Sequence, residues 1–135
     1  MEEKVSREVA EIEFNRFVDA MDIDVDTAGM DEEDRKGLEQ LKGRIVGAIV
    51  NGSLTINDDG EPTFSPRRSK NTDPITFYEP TGATLMAMDR KKKSEDMGKL
   101  YAAMADMTKA TPATFSNMAM ADLKVCIAVV TLFLA

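Results

Sequence analysis

The chain has 135 residues, of which 43% are apolar and 30% charged, so it is long enough for one domain with a hydrophobic core. Its net charge of −7 argues against a nucleic-acid groove, which needs concentrated Lys and Arg, and has the wrong sign for an anionic membrane surface. Histidine, the commonest general base and metal ligand, is absent. We therefore expect no zinc site, no cofactor and no enzymatic activity.

Two segments bear on the compartment. The N-terminal MEEKVSREVAE is charged and lacks the apolar stretch of a signal peptide. The apolar run Val125–Ala135 is too short to span a bilayer, and Lys124 precedes it, so it predicts a buried or partner-facing helix. The single cysteine, Cys126, excludes an intramolecular disulfide and fits a reducing cytosol.

The first half of the chain predicts two helices. Val5–Met21 is the first, and its apolar residues recur at helical spacing at Phe14, Phe17, Val18 and Met21. Asp31–Val50 is the second, with Asn51-Gly52 as its stop and an apolar stripe of Leu38, Leu41, Ile45 and Ile49.

The acidic connector between these helices is close to a calcium-binding EF-hand loop. Asp22, Asp24 and Asp26 match its first three ligand positions, and Glu33 matches the last. However, Thr27 lies where the loop needs Gly for a sharp turn, and Gly29 replaces the usual apolar residue. We therefore interpret the segment as an acidic linker that caps the next helix, and predict no metal site.

A small antiparallel sheet is predicted next. Leu54–Asn57 is the first strand, Asp58-Asp59-Gly60 is a hairpin turn, and Thr63–Ser65 is the return strand. Pro62 and Pro66 limit the return strand to a short or edge element. The strand Ile75–Tyr78 is expected to join this hairpin.

The second half ends in two predicted helices. The first runs from Thr84 to Met107, with Lys91–Asp96 as a candidate interruption, and Thr111-Pro112 ends it. The second runs from Asn117 to Leu134. The fold prediction is therefore mainly helical α+β in the order α-α-β-β-β-α-α. One domain, 1–135, would comprise a helical half (1–66), a loop (67–74) and a strand-plus-helices half (75–135).

The segment Ile75–Arg90, ITFYEPTGATLMAMDR, changes character in its middle. Its first four residues are β-branched or aromatic, Glu79-Pro80-Thr81-Gly82 breaks the strand, and Thr81 or Thr84 can cap the helix that follows. This strand, corner and helix resemble the tail assembly chaperones of tailed bacteriophages, whose C-terminal parts often run through such a corner into two helices. The resemblance covers Ile75–Ala135 and leaves the residues before Asp73 unaccounted for.

The resemblance implies a chaperone in the host cytoplasm that binds the tape measure protein and keeps it soluble for assembly of the tail tube. It also implies the major tail tube protein as a further candidate partner. An extended client with apolar stripes aggregates unless a reversible cover is present. We also expect a homo-oligomer, because the apolar C-terminal helix must bury against its own domain or another copy.

The predicted client surface combines a methionine-rich helix with the apolar end of the last helix. Six of the ten methionines fall between Met86 and Met118, and Met adapts to irregular apolar partners. Against this, the same residues at helical spacing are typical of a core. The predicted surface residues are Met97, Leu100, Tyr101, Met104, Met107, Val129, Leu132, Phe133 and Leu134.

Two other functions fit parts of the sequence. A structural virion component, such as a head–tail joining or tail-tube-associated protein, differs from a chaperone because it remains in purified particles. An acidic inhibitor that mimics DNA needs carboxylates spread along one face, whereas many of them here cluster between Asp19 and Asp34. The basic run Arg90–Lys93 could contact an acidic partner or a phosphate, but it lacks interleaved aromatic residues, so we interpret it as a solvated helix end or loop.

Overall fold

The computed structural model describes residues 4–69 and 73–134, and in these residues the chain forms six helices and one three-stranded antiparallel sheet. This confirms the mainly helical α+β class. The helices are α1 (Arg7–Ala20), α2 (Glu32–Val50), α3 (Gly82–Asp89), α4 (Asp96–Thr108), α5 (Pro112–Ser116) and α6 (Met120–Phe133). The strands are β1 (Leu54–Ile56), β2 (Pro62–Phe64) and β3 (Ile75–Thr76).

The N-terminal helices α1 and α2 pack against each other, and both begin at a side-chain cap. Ser6 Oγ accepts a hydrogen bond from the Val9 amide at 3.2 Å, and Asp31 Oδ1 accepts one from the Asp34 amide at 2.8 Å. Such caps satisfy amides that have no partner within the helix. Each helix buries one apolar face; the buried residues are Ala10, Phe14, Phe17 and Val18 of α1 and Ile45, Val46, Ala48 and Ile49 of α2.

The sheet has the order β1-β2-β3, so β3 joins the hairpin as predicted. The return strand β2 is short, but it lies in the centre of the sheet and not at an edge. Pro62 is tolerated there because it is the first residue of the strand, where a missing amide costs little. The hydroxyls of Thr63 and Thr76, which face each other across β2 and β3, are 3.0 Å apart.

The hairpin turn fits closely against α1. Gly60 has φ +82°, and a Cβ added there would lie 2.3 Å from the Cβ of Ala20. Arg16 also ties the turn to α1, because its guanidinium donates to the carbonyl oxygens of Ile56 and Asn57 at 2.5 and 2.6 Å. Position 60 therefore requires glycine, both because its φ is positive and because any larger side chain would overlap with Ala20.

The C-terminal part differs from the prediction in its number of helices: four follow β3, and not two. The predicted interruption is present, since α3 ends at Asp89 and α4 begins at Asp96. Pro112 does not only end a helix. It lies in the first turn of the short helix α5, where a proline loses no hydrogen bond. As a result α6 begins at Met120, because Asn117 is the C-cap of α5.

One hydrophobic core draws on both halves of the chain. Helix α6 contacts α2 and α4, and the rings of Phe17 in α1 and Phe133 in α6 meet edge to face at 5.2 Å. The largest fully buried side chains include Phe14, Phe64, Phe77 and Phe115. Among the helices of the described residues, none has both the length and the apolarity to cross a membrane.

Candidate interaction surface

The predicted client surface lies partly in the core. Met104, Met107, Val129 and Leu132 are buried, each at most 2% exposed, while Leu100, Tyr101, Phe133 and Leu134 are half-buried and pack against the core. Met97 is the exposed member of the set, at 45%. The four buried residues are therefore corrected from surface to core positions. The physical reason is that α4 and α6 pack on each other and α6 also packs on α2.

Two consecutive apolar side chains of α3 are largely exposed. Leu85 is 61% exposed and Met86 62% exposed, and both line a shallow depression together with Met88, Asp89 and Lys99. We call Leu85 and Met86 the α3 face; Met88 is half-buried and packs against the core. Helix α3 has apolar residues on all sides and packs mainly against α4, so one of its sides stays uncovered.

Buried polar contacts fix which side of α3 is uncovered. Thr84 is 1% exposed, and its hydroxyl donates to Asp106 of α4 at 2.5 Å while accepting the Thr81 amide at 3.1 Å. Thr81 in turn caps the helix by accepting the Ala83 amide. Successive residues of a helix are about 100° apart, so anchoring Thr84 against α4 turns Leu85 and Met86 towards solvent.

Met97 does not belong to the α3 face. It is not among the residues that line the depression at α3. The surface predicted from the sequence therefore contains one exposed methionine, Met97, but neither Leu85 nor Met86. A sequence feature does point to the exposure of Leu85 and Met86. The short helix that follows the Pro80 corner has more apolar residues than one packing partner can cover.

A run of basic residues follows α3 in the chain. Arg90, Lys91, Lys92 and Lys93 follow α3 directly, and all four are exposed. The segment 82–99 holds five cations and three carboxylates, in contrast to the acidic chain as a whole. At the α3 face itself the charges are mixed, because Asp89 and Lys99 both line the depression, whereas Arg90 and Lys91 border a different depression with Asp106.

The most elaborate polar contact of the described residues is structural. Asp122 is 3% exposed in the first turn of α6, and its carboxylate accepts the amides of Arg67, Arg68 and Ser69 at 2.8–2.9 Å and the Ser69 hydroxyl at 2.7 Å. Burial alone raises the pKa of Asp122, but these donors, Arg67 foremost, outweigh it and hold the pKa below the ordinary 3.8. A carboxylate that stays ionised in this way has no proton to give and is not a general acid. It connects the start of α6 to the backbone of residues 67–69, and we call this contact the Asp122 latch.

Cys126 and the acidic connector offer no chemistry either. Burial, with the nearby Asp122 charge, raises the pKa of the Cys126 thiol to about 12, so its reactive thiolate form is disfavoured. Asp24 and Asp26 accept amide hydrogens two residues further on, and Glu33 belongs to the first turn of α2. Within residues 4–69 and 73–134, no group of three or more Asp, Glu, Cys or His residues could hold a metal ion, and Asp22 therefore belongs to none.

Comparisons with known proteins do not add to this description. No protein-family model, no curated protein and no solved structure matches the chain.

Proposed function

We propose that the protein is a tail assembly chaperone of a tailed bacteriophage, which binds the tape measure protein in the host cytoplasm and keeps it soluble until the tail tube closes around it. The observation that carries the proposal is the α3 face, because it lies within the segment Ile75–Arg90 that resembles these chaperones. The exposed apolar side chains Leu85 and Met86 follow the Glu79–Gly82 corner directly.

The chemistry of the α3 face suits a reversible cover for a helical client. Unbranched methionine side chains adapt to different apolar partners, so one surface can contact many similar stripes along an extended chain. A contact of a few side chains is weak enough to be released when the tube protein arrives. We therefore expect the client to bind as an amphipathic helix whose apolar side packs against the exposed side of α3.

The test is co-expression with the tape measure protein from the same genome, identified as a long, coiled-coil-rich reading frame downstream. We expect the wild-type chain to keep this protein soluble and Met86→Glu to lose that effect. Met120→Glu is the matched control, because Met120 is 63% exposed and lies at the start of α6, outside the α3 face. Equal solubility of the tape measure protein with both variants contradicts the role of the α3 face.

A second experiment distinguishes the chaperone function from that of a structural virion component. A chaperone acts before the tail is complete, so we expect mass spectrometry of purified particles to detect the tape measure protein and not this chain. Recovery of the chain at a fixed number of copies per particle contradicts the chaperone proposal and supports a structural component.

A further inference from the structure

The two N-terminal helices and the acidic connector between them, residues 21–31, enclose a small crevice. Its apolar walls are Phe14 of α1, Val25 of the connector and Leu38 of α2, and its volume is about 250 Å³. One water-sized group takes about 30 Å³, so the crevice has room for a ligand of about eight non-hydrogen atoms. It is smaller than the pockets that hold drug-sized ligands, which begin at about 300 Å³.

The rim of this crevice is polar and contains a cation. It consists of Asn15, Thr27, Glu39 and Lys42. Lys42 is half-buried, and its ammonium nitrogen lies 5.6 Å from the centre of the Phe14 ring. A cation that lies against apolar surface is screened less by water than a fully solvated one, so it attracts an anion more strongly. The crevice therefore combines an apolar floor with a positive charge at its edge.

No carboxylate of the described residues pairs with Lys42, although the chain as a whole is acidic. Glu39 precedes Lys42 by three residues, which is a spacing that allows an ion pair, but its carboxylate lies 3.4 Å from the Arg35 guanidinium instead. Within residues 4–69 and 73–134, the side chains of Asn15 and Thr27 also have no hydrogen-bond partner. Three donor groups, one of them cationic, are therefore available beside the apolar floor.

We propose that this crevice binds a small carboxylic acid with a short apolar chain. The chain of the acid lies against the three apolar walls, and its carboxylate accepts a charge-assisted hydrogen bond from Lys42. The amide of Asn15 and the hydroxyl of Thr27 are further donors on the same rim. Glu39 disfavours an anion, but its ion pair with Arg35 reduces that repulsion. Hexanoate has the size that the volume of the crevice allows.

The ligand would contact three parts of the chain at once, namely α1, the connector and α2. Because Val25 and Thr27 belong to the connector, the bound acid holds this segment against both helices. A ligand that binds only the folded protein raises its stability as the ligand concentration increases. We therefore expect hexanoate to raise the unfolding temperature. No residue of the crevice belongs to the α3 face, so this inference goes beyond the proposed function and is independent of it.

The experiment titrates the full chain with hexanoate and with 1-hexanol, and the NMR signals of the side-chain methyl groups report where each ligand binds. We expect hexanoate to shift the methyl signals of Val25 and Leu38 in a saturable way. The alcohol has the same apolar chain without the charge, so it should bind the wild type about tenfold more weakly. Hexylammonium should not bind, because its charge has the same sign as that of Lys42.

Two matched variants then test the cation. Lys42→Met keeps an unbranched apolar side chain but removes the charge, so hexanoate should bind about tenfold more weakly, while the affinity for 1-hexanol stays the same. Lys36→Met is the control, because Lys36 is exposed on the same helix and lies outside the crevice. It should bind hexanoate as the wild type does.

Three results overturn the proposal. The first is equal affinity of hexanoate and 1-hexanol for the wild type, and this comparison decides the question even if Lys42→Met lowers the stability of the fold. The second is unchanged hexanoate binding by a folded Lys42→Met variant. The third is a titration in which the methyl signals of Val25 and Leu38 do not shift, whether or not those of Leu85 on α3 do.

Discussion

Helices α3 and α6 are both apolar around most of their circumference, but the fold treats them in opposite ways. Helix α6 has 14 residues and contacts both α2 and α4, so its apolar side chains after Met120 are buried or half-buried, with Val129 and Leu132 almost fully covered. Helix α3 has 8 residues and packs mainly on α4, which leaves Leu85 and Met86 more than 60% exposed. The number of packing partners, and not apolarity, decides which helix is available to another molecule.

The largest effect is expected from a charge introduced on the buried helix, α6. Leu132→Glu places an unpaired carboxylate in the core, which costs roughly 3 to 5 kcal/mol of unfolding free energy. Since small domains are stable by only about 5 to 15 kcal/mol, urea denaturation should show a protein that is largely unfolded or close to it. The matched variant Leu85→Glu on α3 should change the free energy by less than about 0.5 kcal/mol. Equal destabilisation by both substitutions contradicts the difference in burial.

The next effect concerns the latch that holds the start of α6. Asp122→Asn keeps the size of the side chain but replaces one acceptor oxygen with an amide that cannot accept the hydrogen bonds of the 67–69 backbone. Leaving these partly buried donors without a good acceptor is expected to cost about 1 kcal/mol of unfolding free energy, measured by urea denaturation. Asp19→Asn, at an exposed position of α1, is the control and should be close to the wild type. An unchanged stability for Asp122→Asn rules out the latch.

The same latch predicts a pH dependence. The pKa of Asp122 is lowered in the folded protein, so its contribution to stability is fully present above the ordinary value of 3.8 and is lost as the pH falls below 3.8 through the folded-state pKa. The wild type should therefore lose stability more steeply than Asp122→Asn below about pH 4. Parallel acid-denaturation curves for the two proteins would refute this assignment.

A comparable effect is expected from loosening α3. Thr84→Val removes the hydroxyl that donates to Asp106 and accepts from the Thr81 amide, at an expected cost of about 1 kcal/mol. Because this anchor sets the direction of Leu85 and Met86, the variant should also weaken client binding at the α3 face. Thr84→Ser retains the hydroxyl and serves as the control. If Thr84→Val retains full stability and full client binding, the anchor does not orient the helix.

Local signals in the sequence predict most of the fold. The breaker at Asn51-Gly52, the turn at Gly60 and the corner at Glu79–Gly82 each end one element and start the next, so they delimit the three strands between them and the helices α2 and α3 on either side. Helix α5 was missed because a proline that ends one helix is also suited to begin another. The start of α6 was wrong by three residues for the same reason.

The interaction surface could be predicted only in part. Whether Met104 or Met86 is exposed depends on which helices pack together, and helical spacing alone is the same for a core face and a docking face. The contact between Asp122 and residues 67–69 joins segments more than 50 residues apart, and no local pattern indicates it. Both features depend on packing between segments that are distant in the chain, and local sequence patterns do not predict such packing.

The central claim is that α3, and not α6, carries the interaction surface, and amide hydrogen exchange tests it most directly. The measurement compares the free, dilute chain with the chain bound to the tape measure protein. We predict that the amides of 82–89 exchange more slowly in the complex, while those of α6, already protected by the core, change little. Protection gained along α6 with no change in 82–89 contradicts the claim.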